Sequence, residues 1–166
     1  MTCVAIGGLV DYSKSVNIIL VEPEIPGNTG TIGRLCVGLN ASLTMIEPLG
    51  FSLEDKYLRR AGLDYWPHLR WQVRSSLQEV LDEVNDPKRF YYLTTKVDRP
   101  YTAVDYREGD FLVFGKETKG LPEDLLAREA EQAVTIPMFG NIRSINLAVS
   151  VGIVAYEATR QLHGGF

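Results

Sequence analysis

The sequence contains few of the residues that build disulfide frameworks or metal sites. Its 166 residues include two cysteines and two histidines. Two cysteines cannot form a disulfide framework, so we interpret Cys3 and Cys36 as reduced thiols of an intracellular protein. Only His68 and His163 are available to join them around a metal, and we therefore expect no metal site.

Long apolar runs and an excess of basic charge are also absent. No stretch reaches the ~18 consecutive apolar residues that a membrane-spanning helix needs, and residues 1–10 lack the basic region of a signal peptide. Acidic residues outnumber basic ones by 21 to 17, which gives a net charge of −4. This charge excludes a surface that is basic all round, but it permits a local basic patch. We expect a cytoplasmic protein with no membrane association.

The composition is that of a globular chain. Hydrophobic residues make up 45% and charged residues 23% of the sequence, which excludes a disordered protein. At roughly 150 residues per domain, the length predicts one domain. We assign this domain to residues 16–166 and interpret residues 1–15 as an N-terminal extension, because Gly7, Gly8 and the polar run 11–15 resemble a connector.

Short apolar segments alternate with helical patterns along this domain. Strands buried on both faces are predicted at residues 16–21, 43–46, 90–95, 111–114 and 133–138. Helices are predicted from residue 28 or 29 to 39, over 77–84 with Ser75 or Ser76 as the cap, over 121–130 and over 146–162. The alternation predicts an α/β fold with helices flanking a mostly parallel sheet. Residues 147–155 are small or apolar almost all round, which is typical of a helix buried on every side.

Loops rich in glycine and proline follow the predicted strands. In a parallel sheet such loops meet at the carboxyl edge, where α/β proteins bind ligands. A nucleotide-dependent oxidoreductase is disfavoured, because Asn28 stands two positions before Gly30, where the dinucleotide fingerprint needs a glycine. Gly115 and Gly120 bracket a loop whose backbone can approach a flat ligand, and residues 136–138 offer an apolar ledge. The pattern favours a nucleoside-like ligand.

Three segments resemble the three motifs of the SPOUT superfamily of RNA methyltransferases. They are Asn-Thr-Gly-Thr-Ile-Gly-Arg at 28–34, Phe-Gly-Lys-Glu-Thr-Lys-Gly-Leu-Pro at 114–122, and Ile-Pro-Met at 136–138 followed by Arg-Ser-Ile-Asn-Leu at 143–147. Residues 22–26, 47–51, 58–65 and 93–96 are similar to the subgroup that methylates the wobble nucleotide of tRNA. The ordered match spans residues 17–162, and the ordered set is far more specific than any single motif.

The resemblance implies a fold, an assembly and an activity. The fold is Rossmann-like with a deep C-terminal trefoil knot, in which the last helix passes through a loop near residues 115–145. The assembly is a homodimer that binds the anticodon loop of tRNA. The activity is that of a tRNA (cytidine(34)-2′-O)-methyltransferase, which transfers a methyl group from S-adenosylmethionine to the wobble cytidine or modified uridine. A 2′-O-methyltransferase for another tRNA or ribosomal RNA position and a non-enzymatic knotted RNA-binding dimer are the alternatives.

The resemblance also implies roles for individual residues. Those implied in catalysis are Arg34, Asn28, Ser144 and Asn146. Those implied to line the cofactor pocket are Leu93, Thr94, Gly115, Glu117, Gly120, Ile136, Met138, Ser144 and Leu147. Those implied to contact RNA are Lys56, Arg59, Arg60, Lys119, Arg143 and Tyr156. Because a guanidinium stays protonated at neutral pH, we expect Arg34 to face the pocket and to grip a phosphate and stabilise charge rather than to act as a base.

Overall fold

The computed structural model describes residues 15–54 and 64–166, and over these residues the chain forms one sheet flanked by helices. The strands are β1 (Asn17–Val21), β2 (Ser42–Ile46), β3 (Arg70–Arg74), β4 (Phe90–Leu93), β5 (Phe111–Phe114) and β6 (Ala133–Val134). The helices are α1 (Pro26–Leu39), α2 (Leu77–Val84), α3 (Glu123–Arg128) and α4 (Leu147–Leu162). The six strands lie in the order β3-β2-β1-β5-β4-β6, and every neighbouring pair is parallel.

The helices cover both faces of the sheet. On one face Ile32 of α1 and Val151 of α4 belong to the same apolar cluster as the strands beneath them. On the other face Val80 of α2 and Leu125 of α3 form a second cluster. Each large apolar side chain buried in this way stabilises the fold by roughly 1.5–3 kcal/mol. The prediction of an α/β fold with helices flanking a parallel sheet is confirmed.

One observed strand is not predicted, and two predicted strands are shorter in the structure. β3 has no counterpart among the predictions, because Trp71 and Val73 alternate with polar residues and all five positions are only partly buried, as is usual at the edge of a sheet. The predicted strand over 133–138 is wrong beyond Val134, since the chain then makes only an isolated bridge between Pro100 and Thr135. β4 ends at residue 93 rather than at residue 95.

The helix boundaries follow their caps. α1 begins at Pro26 with Ile25 as the N-cap residue, so the predicted start at residue 28 or 29 is wrong; proline is favoured at the first helical position because it has no N–H to satisfy. Ser76 caps α2 by accepting a hydrogen bond from the Glu79 amide, as predicted. α3 is shorter than the predicted 121–130. The last helix is confirmed, with Asn146 as its cap.

One flank of α4 is open in the single chain. Val151 and Val154 are fully buried beneath the helix, which packs along α1. Val149 is 52% exposed and Tyr156 is 50% exposed. The expectation that residues 147–155 are buried on every side is therefore wrong for the isolated chain, because no element of the described chain covers this flank.

The remaining fold predictions concern the thiols, the membrane and the knot. Cys36 is fully buried, and burial raises the pKa of its thiol to about 12, so it is a core residue and not a nucleophile. Cys3 lies outside the described residues, as do residues 1–14 of the extension. None of the helices that the structure describes is long and apolar enough to cross a bilayer. The trefoil knot stays a prediction.

Candidate active site

A cavity of about 550 Å³ opens at the carboxyl edge of the sheet. Its walls come from the segments that follow β4, β5 and β6 and from the starts of α1 and α4. This size lies within the ~300–1,000 Å³ range of small-molecule sites. Met138 is the one predicted cofactor residue that does not line it. The predicted residues that do line it are Leu93, Thr94, Gly115, Glu117, Gly120, Ile136, Ser144 and Leu147.

The loop of residues 115–120 closes tightly on itself. The Gly120 amide donates to the Lys116 carbonyl oxygen at 2.9 Å, and Gly120 has a φ of 68°, a value that L side chains rarely adopt. A Cβ at position 115 would lie 2.0 Å from the carbonyl carbon of Gly120 and 2.2 Å from the Leu121 nitrogen. The loop therefore requires both glycines and presents its backbone to the cavity.

The Glu117 carboxylate lines the cavity but points towards the start of α1. Its Oε2 accepts a hydrogen bond from the Glu24 amide at 2.8 Å. Its Oε1 accepts from the Ile25 amide at 3.1 Å and from Nδ2 of Asn28 at 3.2 Å. The negative charge is placed near the positive end of the α1 dipole, an arrangement worth about 0.3–1 kcal/mol. Most of the acceptor capacity of Glu117 is thus used within the protein.

Asn28 and Asn146 connect α1 to the start of α4. Nδ2 of Asn146 donates to Oδ1 of Asn28 at 3.0 Å. Oδ1 of Asn146 accepts from the amides of Ala148 at 2.8 Å and Val149 at 3.3 Å. These bonds satisfy N–H groups that the first turn of a helix leaves without an internal partner. Two of the predicted catalytic residues therefore contact each other at the cavity wall, where Ser144 also lies.

Arg34 is the predicted catalytic residue that does not line the cavity. Its Nη2 pairs with Oδ2 of Asp64 at 2.9 Å, and the two side chains are 63% and 68% exposed. Its guanidinium carbon lies 5.4 Å from the centroid of the Tyr65 ring. Burial raises the pKa of Tyr65 to about 12, and its hydroxyl donates to the Gly30 carbonyl oxygen of α1. Because an exposed ion pair contributes at most about 1 kcal/mol, Arg34 can exchange Asp64 for another anion at little cost.

The predicted RNA-contact residues fall in different parts of the chain. Lys119 lines the cavity. Arg143 is exposed in the segment between β6 and α4, and Tyr156 lies on the open flank of α4. Three of them lie outside the described residues, namely Lys56, Arg59 and Arg60.

One feature next to the site has no counterpart in the sequence predictions, and one contact within it could not be predicted. Phe139 follows the cavity residue Ile136 by three positions and is 98% exposed; the signal that could have identified it is an aromatic residue before a glycine in a polar loop. Lys96 and Lys116 line the cavity beside Lys119. Lys116 pairs with Glu22 at 2.6 Å, a partner that sequence spacing cannot indicate.

The groups that line the cavity suit an organic ligand rather than a metal ion. Among residues 15–54 and 64–166, no group of three or more His, Cys, Asp or Glu side chains is arranged to hold a metal ion. Apolar side chains, backbone amides and lysines at its edge suit a flat heterocycle that carries an anionic tail.

Comparisons with known proteins agree with this chemistry. The sequence profile of the SpoU rRNA methylase family matches residues 15–156. The tRNA (cytidine(34)-2′-O)-methyltransferase of Escherichia coli strain K12 is 49% identical over 148 residues, which cover 89% of this chain and 94% of that protein.

Two solved structures are similar over nearly the whole chain. The protein from a study of the 2-OH methylation of C/U34 on tRNA is 42% identical with a TM-score of 0.84, and the match covers 92% of this chain and 99% of that one. The SpoU methyltransferase AviRb of Streptomyces viridochromogenes, solved in complex with the cofactor AdoMet, is 25% identical with a TM-score of 0.80, covering 92% of this chain and 62% of that one.

The close packing at Gly115 generates a prediction. Gly115→Ala forces a Cβ into the backbone of residues 120–121, so we expect it to destabilise the fold by about 1–3 kcal/mol and to weaken the binding of nucleoside ligands to the cavity. Calorimetric titration and thermal unfolding measure the two effects. Gly38→Ala is the matched control, because a Cβ at this position of α1 meets nothing within 4 Å, and we expect it to stabilise slightly. An unchanged affinity in Gly115→Ala contradicts the assignment of this loop.

Proposed function

The chain belongs to the SpoU rRNA methylase family, and on that premise we propose that it methylates the 2′-hydroxyl of the wobble nucleotide of tRNA, a cytidine or a modified uridine, in the cytoplasm. The observation that carries the proposal is the cavity at the carboxyl edge, whose wall is built from all three motif segments. The activity is that of the tRNA (cytidine(34)-2′-O)-methyltransferase to which the chain is 49% identical.

The cavity fits S-adenosylmethionine. Leu93, Ile136 and Leu147 supply apolar contacts for the adenine ring, and the backbone of residues 115–120, which has no Cβ at either end, admits a close approach. Lysines at the rim suit the carboxylate of the amino-acid tail. When bound, the cofactor supplies a methyl group on a positively charged sulfur. The sulfur leaves as a neutral thioether, so this leaving group needs no protonation by an acid.

The residues at the cavity contribute position and charge. Neither His68 nor His163 lines the cavity, so no imidazole is available there as a general base. We propose that Arg34 grips the phosphate next to the reacting ribose and stabilises negative charge on its 2′-oxygen as the hydroxyl proton passes to solvent water. The weak exposed pair with Asp64 leaves the guanidinium free to make that contact.

We further propose that two copies of the chain form the functional unit. The apolar flank of α4, which includes Val149 and Tyr156, is half-exposed in the single chain. Arg34 lies outside the lining of its own cavity, which supports an arrangement in which it serves the cavity of the partner subunit. A two-fold interface repeats this contact at both sites.

RNA recognition is proposed for the exposed groups around the cavity. Lys119 and Arg143 provide charge for phosphates, and the fully exposed ring of Phe139 provides a surface on which an unpaired base stacks. Stacking on aromatic rings together with phosphate contacts is how proteins recognise single-stranded loops such as the anticodon loop.

Methyl transfer to total tRNA tests the function directly. With labelled S-adenosylmethionine, we expect one methyl group per accepting tRNA, located at nucleotide 34 and protecting the following phosphodiester bond from alkaline hydrolysis. Mapping by nuclease digestion and mass spectrometry identifies the position. A methyl group on a base, or at another tRNA or ribosomal RNA nucleotide, contradicts the proposal. Tight cofactor binding without any transfer favours the non-enzymatic RNA-binding dimer.

Replacing Arg34 tests its role and its subunit. Arg34→Ala is expected to keep the affinity for the cofactor and to lower the single-turnover rate constant by at least ~100-fold, the scale of losing a donor that stabilises charge in the transition state. Mixed dimers of Arg34→Ala with Gly115→Ala protomers are then expected to recover about a quarter of wild-type activity, because random mixing gives one intact site in half of the dimers. No recovery shows that Arg34 serves its own subunit.

The open flank of α4 predicts the oligomeric state. Sedimentation equilibrium is expected to give twice the chain mass of 18.5 kDa. Val149→Asp is expected to dissociate the dimer, because it places a charge in the apolar contact, whereas Val149→Leu keeps it associated. A wild-type monomer at micromolar concentration contradicts the proposed assembly.

A further inference from the structure

We propose that Glu24 is a positioning residue, which together with Glu117 locks the 115–120 loop to the start of α1 so that ligand binding at the loop is coupled to the position of that helix. We call the reciprocal contacts of these two acids the carboxylate clamp. The consequence for catalysis rests on the proposed function, because it is α1 that carries Arg34.

The first half of the clamp runs from the loop to the helix. The Glu117 carboxylate accepts from the amides of Glu24 at 2.8 Å and Ile25 at 3.1 Å. Both donors are backbone groups directly before the first residue of α1. They are satisfied by a side chain that lies 93 and 92 positions away in the sequence, so the loop and the helix start hold each other in register.

The second half runs in the opposite direction. The Glu24 carboxylate accepts from the Thr118 amide at 3.0 Å. It also accepts from the Thr118 hydroxyl, at 3.1 Å through Oε1 and 2.9 Å through Oε2. Hydrogen bonds to an ionised carboxylate are about twice as strong as neutral ones. Three backbone amides and one hydroxyl thus donate to the two carboxylates and join the two segments.

The helix start is also held from its other side. The Gly50 amide donates to the Pro23 carbonyl oxygen at 2.9 Å, and a Cβ on Gly50 would lie 2.8 Å from Cα of Glu24. The segment therefore lies between the chain that follows β2 and the 115–120 loop. Gly50 packs closely against the segment before α1 on one side, so the carboxylate clamp on the other side fixes the position of that segment.

Glu24 lies outside the lining of the cavity, so it can position other residues without contacting a bound ligand. Glu117 and Thr118 line the cavity, whereas Glu24 does not. A change at Glu24 therefore reaches a bound ligand only indirectly, through the loop or through Ile25 and Asn28, which line the cavity. It reaches Arg34 through α1. An α-helix transmits a displacement at its start along its axis, which rises ~1.5 Å per residue, and a misplacement of 1 Å at a reacting group costs ~100-fold in rate.

The test compares Glu24→Ala with Glu24→Gln. The glutamine amide can accept from the Thr118 amide and donate to the Thr118 hydroxyl, since a hydroxyl both donates and accepts. We expect Glu24→Ala to lower the single-turnover rate constant by at least ~10-fold and to change the dissociation constant of S-adenosylhomocysteine by less than ~3-fold. Glu24→Gln is expected to restore most of the rate. Glu131→Ala is the surface control, because Glu131 precedes β6 at the opposite edge of the sheet.

A second readout requires neither tRNA nor turnover. In the wild type, S-adenosylhomocysteine is expected to slow amide hydrogen exchange both in the 115–120 loop and in peptides covering residues 22–34. In Glu24→Ala the slowing is expected to remain in the loop and to be lost in residues 22–34. Glu24→Gln is expected to behave as the wild type.

The two readouts distinguish failure of the clamp from failure of the proposed function. If the wild type does not methylate tRNA at nucleotide 34, the proposed function fails and hydrogen exchange alone decides the clamp. Equal protection of residues 22–34 in the wild type and in Glu24→Ala overturns the clamp. So does a parallel loss of rate, ligand affinity and thermal midpoint in Glu24→Ala, because that pattern indicates a general structural role.

Discussion

The Glu117 carboxylate sets the direction of the hydrogen bonds that join the site, because a carboxylate accepts and cannot donate. The Nδ2 group of Asn28 must therefore face it, which turns Oδ1 of Asn28 towards Asn146. Asn146 in turn presents Nδ2 to Asn28 and keeps Oδ1 for the amides at the start of α4. Reversing either amide would oppose two donors or two acceptors. Three segments that are distant in the sequence thus have one mutually consistent arrangement.

The topology of the sheet explains why these segments meet. β1 lies beside β5 in parallel register, with Leu20 opposite Phe114. The segments that leave the carboxyl ends of the two strands must therefore run next to each other, and they contain Glu24 and Glu117. β4 lies on the far side of β5 and β6 beyond it, so the other cavity walls rise from the same edge. The position of the cavity follows from strand order, while its detailed shape depends on the two glycines of the 115–120 loop.

The sequence predicts those parts of the structure whose causes are local. The apolar runs of β1 and β5 and the cap at Asn146 carry their own signals. The start of α1 carries only the local signal of Pro26, because the acceptor for its neighbouring amides comes from Glu117 and not from a nearby serine or aspartate. The contact of Arg34 with Asp64 joins residues from different elements, so motif spacing cannot reveal it. The open flank of α4 is equally hidden, since an apolar pattern does not show whether the chain itself covers that face.

The site has no imidazole to act as a base, and its arginine stays charged. The rate of methyl transfer at such a site depends mainly on how precisely the reacting atoms are positioned. Proton transfer tolerates some variation in the position of a base, because a water molecule can bridge the gap. In-line displacement at a methyl group depends far more strongly on the distance and angle of the reacting atoms. The density of hydrogen bonds between the 115–120 loop, α1 and α4 is consistent with that requirement. The exposed contact of Arg34 is the exception, and its weakness is consistent with the phosphate contact that we propose for this residue.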